Sequence, residues 1–337
     1  MRKEASLEQW GVLYEAASKI KERKPWEKFW DMDLIGICDR EEEDTVFFSI
    51  LGRGGSCYGI AVYEGYEGLN SYLMLCMQES MNLAPEYAMF RQRNLTCYWG
   101  NREELTDKQR KIIKDLGYTY RGKNQWLYFQ SFEPGYYPYN PDEDEVLRLS
   151  RHLQNLELAL QHYDQENIEV NFENGNMLLL TLDEAGAVSN FREAPLPFTS
   201  YQYESLYTTD KELLSDLAGA PKCNMVLEAD VSVLGASIAD KKYSRPACPA
   251  LPLVGDALSG MIIKFEMTEP DDDPVITLAE MVIGVIFQIG TPKEIRVSNI
   301  IVEAGLKQIC DVCRIKLRRV KRLPGLDSFK QSMSRFR

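Results

Sequence analysis

Apolar residues near the start of the chain recur with a helical period. In "SLEQWGVLYEAASKIKER" the residues Trp10, Leu13, Tyr14, Ala17 and Ile20 fall on one stripe, and Pro25 ends the helix. The pattern then changes to short alternating or continuous apolar runs, "DLIGICD", "TVFFSILG" and "CYGIAVYEG", which predict strands. A Met-rich helical stretch is expected around 67–81, followed by the strand "LTCYWGN" and the helix "TDKQRKIIKDLG". Thr106 and Gln109 spell a capping box at the start of that helix, and Gly117 closes it. The first domain, α+β in class, is expected to run over residues 1–140 and to close on the aromatic stretch from Tyr118 to Tyr139.

A linking segment follows over 141–221. Its helix, "NPDEDEVLRLSRHLQNLELALQHY", is expected to use Asn140 as cap and Pro141 as first residue. Val146, Leu149, Leu153, Leu156 and Leu160 form its apolar stripe. The run "IEVNFENGNMLLLTL" predicts a hairpin turning at Asn174-Gly175, and "DKELLSDLAG" a short helix. From 222 to 337 the order is strand, hairpin, helix, strand, helix, strand, helix. Such an order predicts a mixed α/β layer fold.

Composition narrows the class. With 337 residues, 45% hydrophobic and 27% charged, the chain has the make-up of a two-domain globular protein. No signal-peptide pattern is present, and the most apolar run, 281–290, is too short to span a bilayer. A cytoplasmic protein with no membrane contact is expected, and its eight scattered cysteines read as free thiols. The net charge of −12 argues against general nucleic-acid affinity. It is uneven, because residues 311–337 hold nine basic and two acidic residues, +7 against −19 for the remainder. That basic end is expected to pair with the protein's own acidic surface or a neighbouring subunit; should it dock phosphate instead, Arg318, Arg319, Lys321 and Arg322 are the candidate contacts.

The chemistry-bearing patterns are few. His152 and His162 stand ten positions apart on one helix, which puts them on different faces and leaves little material for histidine-based catalysis. "GRGGSCYG" at 52–59 joins two strands, as a turn does, whereas a phosphate cradle leads into a helix. Cys310 and Cys313 lack the second pair that zinc needs. "EPDDDP" at 269–274 reads as a loop capping the next helix, and Glu41, Glu42, Glu43 and Asp44 as a surface turn. The aromatic stretch is expected to pack in a core or a seam between domains; if it is a surface, Trp126, Tyr128, Tyr136 and Tyr137 are the candidate ligand-binding residues, since exposed rings stack bases or grip peptides.

Residues 222–322 resemble the ribonuclease-H-like fold of integrase and transposase cores. The likeness is carried by "VLEAD" ending near Asp230, by "GDALSG" with Asp256 and Gly260, and by "GTPKEIRVSN" ending at Asn299. The resemblance implies a two-metal nuclease centre of converging carboxylates. Asp230 matches the first catalytic Asp. The second falls on the neutral Asn299, and the late helix offers Asp327. Asp256 matches only the hairpin turn, where Asp and Gly are favoured. The whole chain also resembles a bacterial two-domain family with the signature "RGKNQW–F–PGY–P", which implies a fold and no activity.

Two readings follow. The first is a non-catalytic protein that binds a protein partner or small ligand on a degenerate ribonuclease-H-like scaffold. The second is a metal-dependent nuclease or nucleic-acid-binding module using Asp230, Asn299 and Asp327 with the basic C-terminal end. Only the second needs a cofactor, a divalent metal ion.

Overall fold

The structure is a computed structural model and describes residues 2–38, 44–166, 168–233 and 236–334. Glu41, Glu42, Glu43, Arg335 and Arg337 lie outside the described residues. The chain divides into two compact units, each built on one sheet. The first comprises 1–73, 92–133 and 138–200, and the second 74–91, 134–137 and 201–337.

The first unit opens with α1 (Leu7–Arg23), capped by Ser6 in a capping box with Gln9. Strands β1 (Ile35–Cys38), β2 (Val46–Leu51) and β3 (Tyr58–Glu64) follow, joined by antiparallel pairing. Helices α2 (Gly65–Met77) and α3 (Pro85–Phe90) carry the chain across to the second unit and back. Then come β4 (Asn94–Gly100), α4 (Asp107–Asp115), β5 (Trp126–Phe132), α5 (Glu143–Glu166), β6 (Asn176–Leu182) and β7 (Val188–Pro195). The sheet order is β5-β4-β3-β2-β1-β6-β7, antiparallel except where β6 pairs with β1, Ile35 opposite Leu178.

That parallel pair changes the expected organisation. The helix and hairpin read as a link over 141–221 belong to the first unit, and only the later part of that segment joins the second. The physical reason is hydrophobic. Leu178, Leu180 and Leu182 of β6 share one core with Leu149, Leu153 and Leu156 of α5 and with Trp10, Leu13 and Tyr14 of α1. Two local expectations are also corrected. The hairpin turns at 183–187, where the Asp183 carboxylate accepts from the backbone N–H groups of Ala185 and Ala187. Asn174-Gly175 instead closes a single 3₁₀ turn (Phe172–Asn174), with Gly175 at φ 75°. The cap of α5 is Asp142, not Asn140: Asp142 Oδ1 accepts from Glu145 N, and Glu145 returns the bond to Asp142 N.

In the second unit α6 (Lys211–Gly219) precedes β8 (Val226–Val233), β9 (Ala250–Asp256) and β10 (Ile262–Phe265). After them run α7 (Pro274–Ile289), β11 (Glu294–Val297), α8 (Ile300–Cys313), β12 (Lys316–Arg319) and α9 (Pro324–Ser334). The sheet order is β10-β9-β8-β11-β12, with β8, β11 and β12 parallel and β9 and β10 antiparallel. Alternation along β8 sends Leu227, Ala229, Val231 and Val233 into a core shared with α7 and α8. A smaller core forms between Leu251 and Leu253 of β9 and Leu323 and Leu326 at the start of α9. Among the described residues no helix is long and apolar enough to cross a membrane.

The α5 stripe gives a direct test. Leu156 is fully buried whereas Leu147 on the same helix is 48% exposed. Leu156→Ala should cost about 2–5 kcal/mol and lower the urea midpoint followed by circular dichroism. Leu147→Ala should stay within about 0.5 kcal/mol of wild type. Equal effects would remove α5 from the core.

Candidate functional site

The pleat that aims four apolar residues of β8 at one core must aim Glu228 and Asp230 at the other face. Both are buried, at 1% and 5% exposure. Asp230 Oδ1 accepts from Ser298 Oγ at 3.0 Å and from Asn299 Nδ2 at 3.2 Å. Its Oδ2 accepts from the ammonium of Lys330 on α9. A buried carboxylate needs a positive partner and donors for its remaining lone pairs, and here the chain supplies all of them.

Asn299 does two jobs. Its Oδ1 accepts from Val302 N at 3.0 Å and caps α8, so its Nδ2 is the group left to face Asp230. A metal ligand would have to present that oxygen to the ion. Asp327 is not among the partners of Asp230. It lies close enough to Glu228 for its charge to push the Glu228 carboxyl up. Among the described residues no group of three or more His, Cys, Asp or Glu is placed to hold a metal ion. Asp230, Asn299 and Asp327 therefore do not form a converging carboxylate set, and the donors present do not fit a two-metal centre.

Glu228 carried no signal in the sequence beyond its place two residues before Asp230. Its Oε2 accepts from Gly325 N at 2.9 Å and Leu326 N at 3.1 Å, the first turn of α9. Its Oε1 is buried with no hydrogen-bond partner. Burial pushes the carboxyl above its usual range, against the pull of those two N–H groups. Asp256 behaves as a turn residue, accepting from Ser259 N at 3.0 Å and from the Ser259 hydroxyl at 2.5 Å. These bonds hold it below the usual carboxylate range.

The basic end is an edge strand and its continuation. Arg318 and Arg319 are exposed on β12, and Lys321 and Arg322 are exposed beyond it. Lys316 pairs with Glu294 at 3.1 Å and Arg319 with Glu303 at 3.4 Å. Charged side chains along an edge discourage pairing with another sheet, which explains these residues without any ligand.

The aromatic stretch is divided between the two units. Trp126 and Tyr128 belong to the first unit, Tyr136 and Tyr137 to the second. Tyr128 is buried, stacks on Tyr98 at 5.3 Å and donates to Glu104 Oε2 at 3.0 Å. Tyr136 donates to Asp271 at 3.1 Å, and the Tyr137 ring lies 4.9 Å from that of Phe90. Trp126 borders a groove, where Arg102 lies over its ring.

The remaining expectations resolve simply. His152 is buried and shares a 2.8 Å hydrogen bond with Glu64, while His162 sits apart with Glu166 at 3.2 Å. The His152 bond and the Arg148 charge overcome burial and hold Glu64 below the usual carboxylate range. The cavity beside His152, lined also by Phe48, Arg151 and Asn155, gave no sequence signal because Glu64 lies 88 positions away. Cys310 and Cys313 are buried free thiols, the first pushed up to about 12 by burial. Asp273 caps α7, accepting from Val275 N at 2.7 Å.

These features define a chain of two α/β units. The chain belongs to the family described as Domain of unknown function (DUF7309), which matches residues 10–180. A second family, described as Domain of unknown function (DUF6930), matches residues 213–334. No curated protein matches. A chain of the "CryoEM structure of simian T-cell lymphotropic virus intasome in complex with PP2A regulatory subunit B56 gamma" is similar at 15% identity and a TM-score of 0.22. That similarity covers 33% of this chain and 41% of the other.

Glu228 makes a pH prediction. A carboxyl raised in the folded state contributes stability that is fully present below its unfolded pKa, about 4.3, and lost as pH rises through the folded value. Wild type should therefore lose stability relative to Glu228→Gln as pH rises from 4 to 8, in urea titrations at stepped pH. A constant difference would mean that Glu228 ionises without penalty.

Proposed function

We propose that the protein is a non-catalytic binding or interaction protein whose second unit is a ribonuclease-H-like scaffold with an internal cation in place of metal. The strand order β10-β9-β8-β11-β12, antiparallel then parallel, supports the scaffold. The single observation that carries the rest is the seat of Lys330 on Asp230, with side chains 26% and 7% exposed. A tethered ammonium balances the charge of the carboxylate and occupies the oxygen that an ion would need. Asn299 then donates to the same carboxylate instead of competing for a cation.

The alternative, a metal-dependent nuclease, requires that Lys330 leave and that two further carboxylates arrive. Titration of Mn²⁺ into the full chain by calorimetry separates the two. Wild type and Asp230→Asn should both show no micromolar binding. Lys330→Gln should destabilise the fold by up to about 3 kcal/mol, because it strands a buried charge, and the double variant Asp230→Asn/Lys330→Gln should recover part of that loss. Micromolar binding by wild type that disappears in Asp230→Asn would sink the proposal and restore the nuclease.

A further inference from the structure

A second candidate lies in the first unit and does not rest on the reading of Asp230. Helix α4 is anchored to β5 by Gln109, whose Nε2 donates to the Phe129 carbonyl at 3.0 Å. It ends in a Schellman turn, in which Tyr118 N donates to Ile113 O at 3.1 Å and Gly117, at φ 80°, donates to Lys114 O at 3.0 Å. The turn throws Tyr118 and Tyr120 back beside the helix. Their rings stack at 5.8 Å and 8°, and Tyr118 stacks in turn on the buried Tyr14 at 5.5 Å. Trp126 meets Tyr120 edge-on at 6.1 Å. A groove of about 630 Å³ opens between these rings and α4, with Ile113 in its lining.

The charges in this groove contrast with the rest of the chain. The protein carries −12 overall, yet Arg102, Arg110, Lys111 and Lys114 line this one groove against Asp107. Arg110 is occupied, since it pairs with Asp107 and donates to the Leu105 carbonyl. Arg102 lies over Trp126, 5.9 Å from the ring centroid. Lys111 and Lys114 are exposed, three positions apart on one helix face, and form no ion pair among the described residues. A rigid aromatic wall beside unpaired ammonium groups suits a ligand that is planar and aromatic at one end and anionic at the other. An acidic peptide would use the lysines and leave the rings idle. A proline-rich peptide would use the rings and leave the lysines unpaired.

We infer that this groove binds a nucleotide, its base stacked on Trp126 with Tyr120 at its edge and its phosphate held by Lys111 and Lys114. The same chemistry arises from a free nucleotide or from a nucleotide within a single strand, where stacking tolerates any base. The groove's volume lies within the range of small-molecule sites.

The test uses the full chain at low salt, with fluorescence anisotropy of labelled dT10 and calorimetry with AMP and with inorganic phosphate. Wild type should bind dT10, AMP or both, and AMP more tightly than phosphate. Binding of AMP marks a free-nucleotide site, and binding of dT10 without AMP marks a strand site. Lys111→Glu/Lys114→Glu should weaken binding at least about tenfold and, for dT10, flatten the salt dependence by a slope of about 1.4, two phosphate contacts for a single strand. Trp126→Ala should weaken it by about 5- to 150-fold, and Trp126→Phe should retain most of it. If Trp126→Ala fails to fold by circular dichroism, the lysine pair and Trp126→Phe decide. No binding of dT10 or AMP overturns the inference. So does binding indifferent to the lysine pair, phosphate binding as tight as AMP, or binding abolished by Arg318→Glu/Arg322→Glu instead.

Discussion

Two buried carboxylates on one face of β8 decide where α9 can lie. Neither Glu228 nor Asp230 can be left without partners, and α9 supplies a partner to each. Its first turn donates two backbone N–H groups to Glu228, and Lys330 reaches Asp230. The spacings match. Two residues along a strand advance about 6.6 Å. The four or five residues from Leu326 or Gly325 to Lys330 advance about 6–7.5 Å along a helix. The helix can therefore lie along the strand with both anchors engaged. Gly325 permits the close approach, since a Cβ there would meet Glu228 Oε2 at 3.1 Å and the Asp256 carbonyl at 3.3 Å. Leu326 then covers Leu251 and Leu253.

The two anchors differ electrically. Asp230 faces a full positive charge, whereas Glu228 faces two backbone dipoles in a dry setting and keeps one oxygen unpartnered. The burial of each is offset by its own partners, a cation for Asp230 and two backbone N–H groups for Glu228. Both sets come from α9, which also completes the small core with Leu251 and Leu253.

Much of the fold was legible where short-range rules act. The apolar stripe of α1, the capping box of α4 and the element order of the second unit all follow from spacing, and all are present. The corrections fall where a short-range signal had a competitor. Asn174-Gly175 has the spelling of a hairpin turn, but the residues before it do not form a strand and Gly175 closes a 3₁₀ turn. Asn140 can cap a helix, but Asp142 stands three residues before Glu145 and forms the reciprocal box. The aromatic run reads as one packed stretch because its members are neighbours in sequence. The chain leaves the first unit at Glu133 and returns at Pro138, so the run is divided.

The candidate site was legible only in its named ligands. Asp230 and Asn299 do meet, as the spelling of the two strand ends suggests, but their meaning depends on Lys330, 100 positions from Asp230. A lysine near the end of a basic tail gives no sign in sequence that it will be internal. Within 311–337 it is one basic residue among nine, and the others described there are exposed along β12 and its flanks, whereas Lys330 is half-buried. What distinguishes Lys330 is geometric, one turn after the N–H groups that grip Glu228. The basic charge of this end thus divides by position along the chain, an edge that repels other sheets and a half-buried lysine that makes Asp230 tolerable inside the fold.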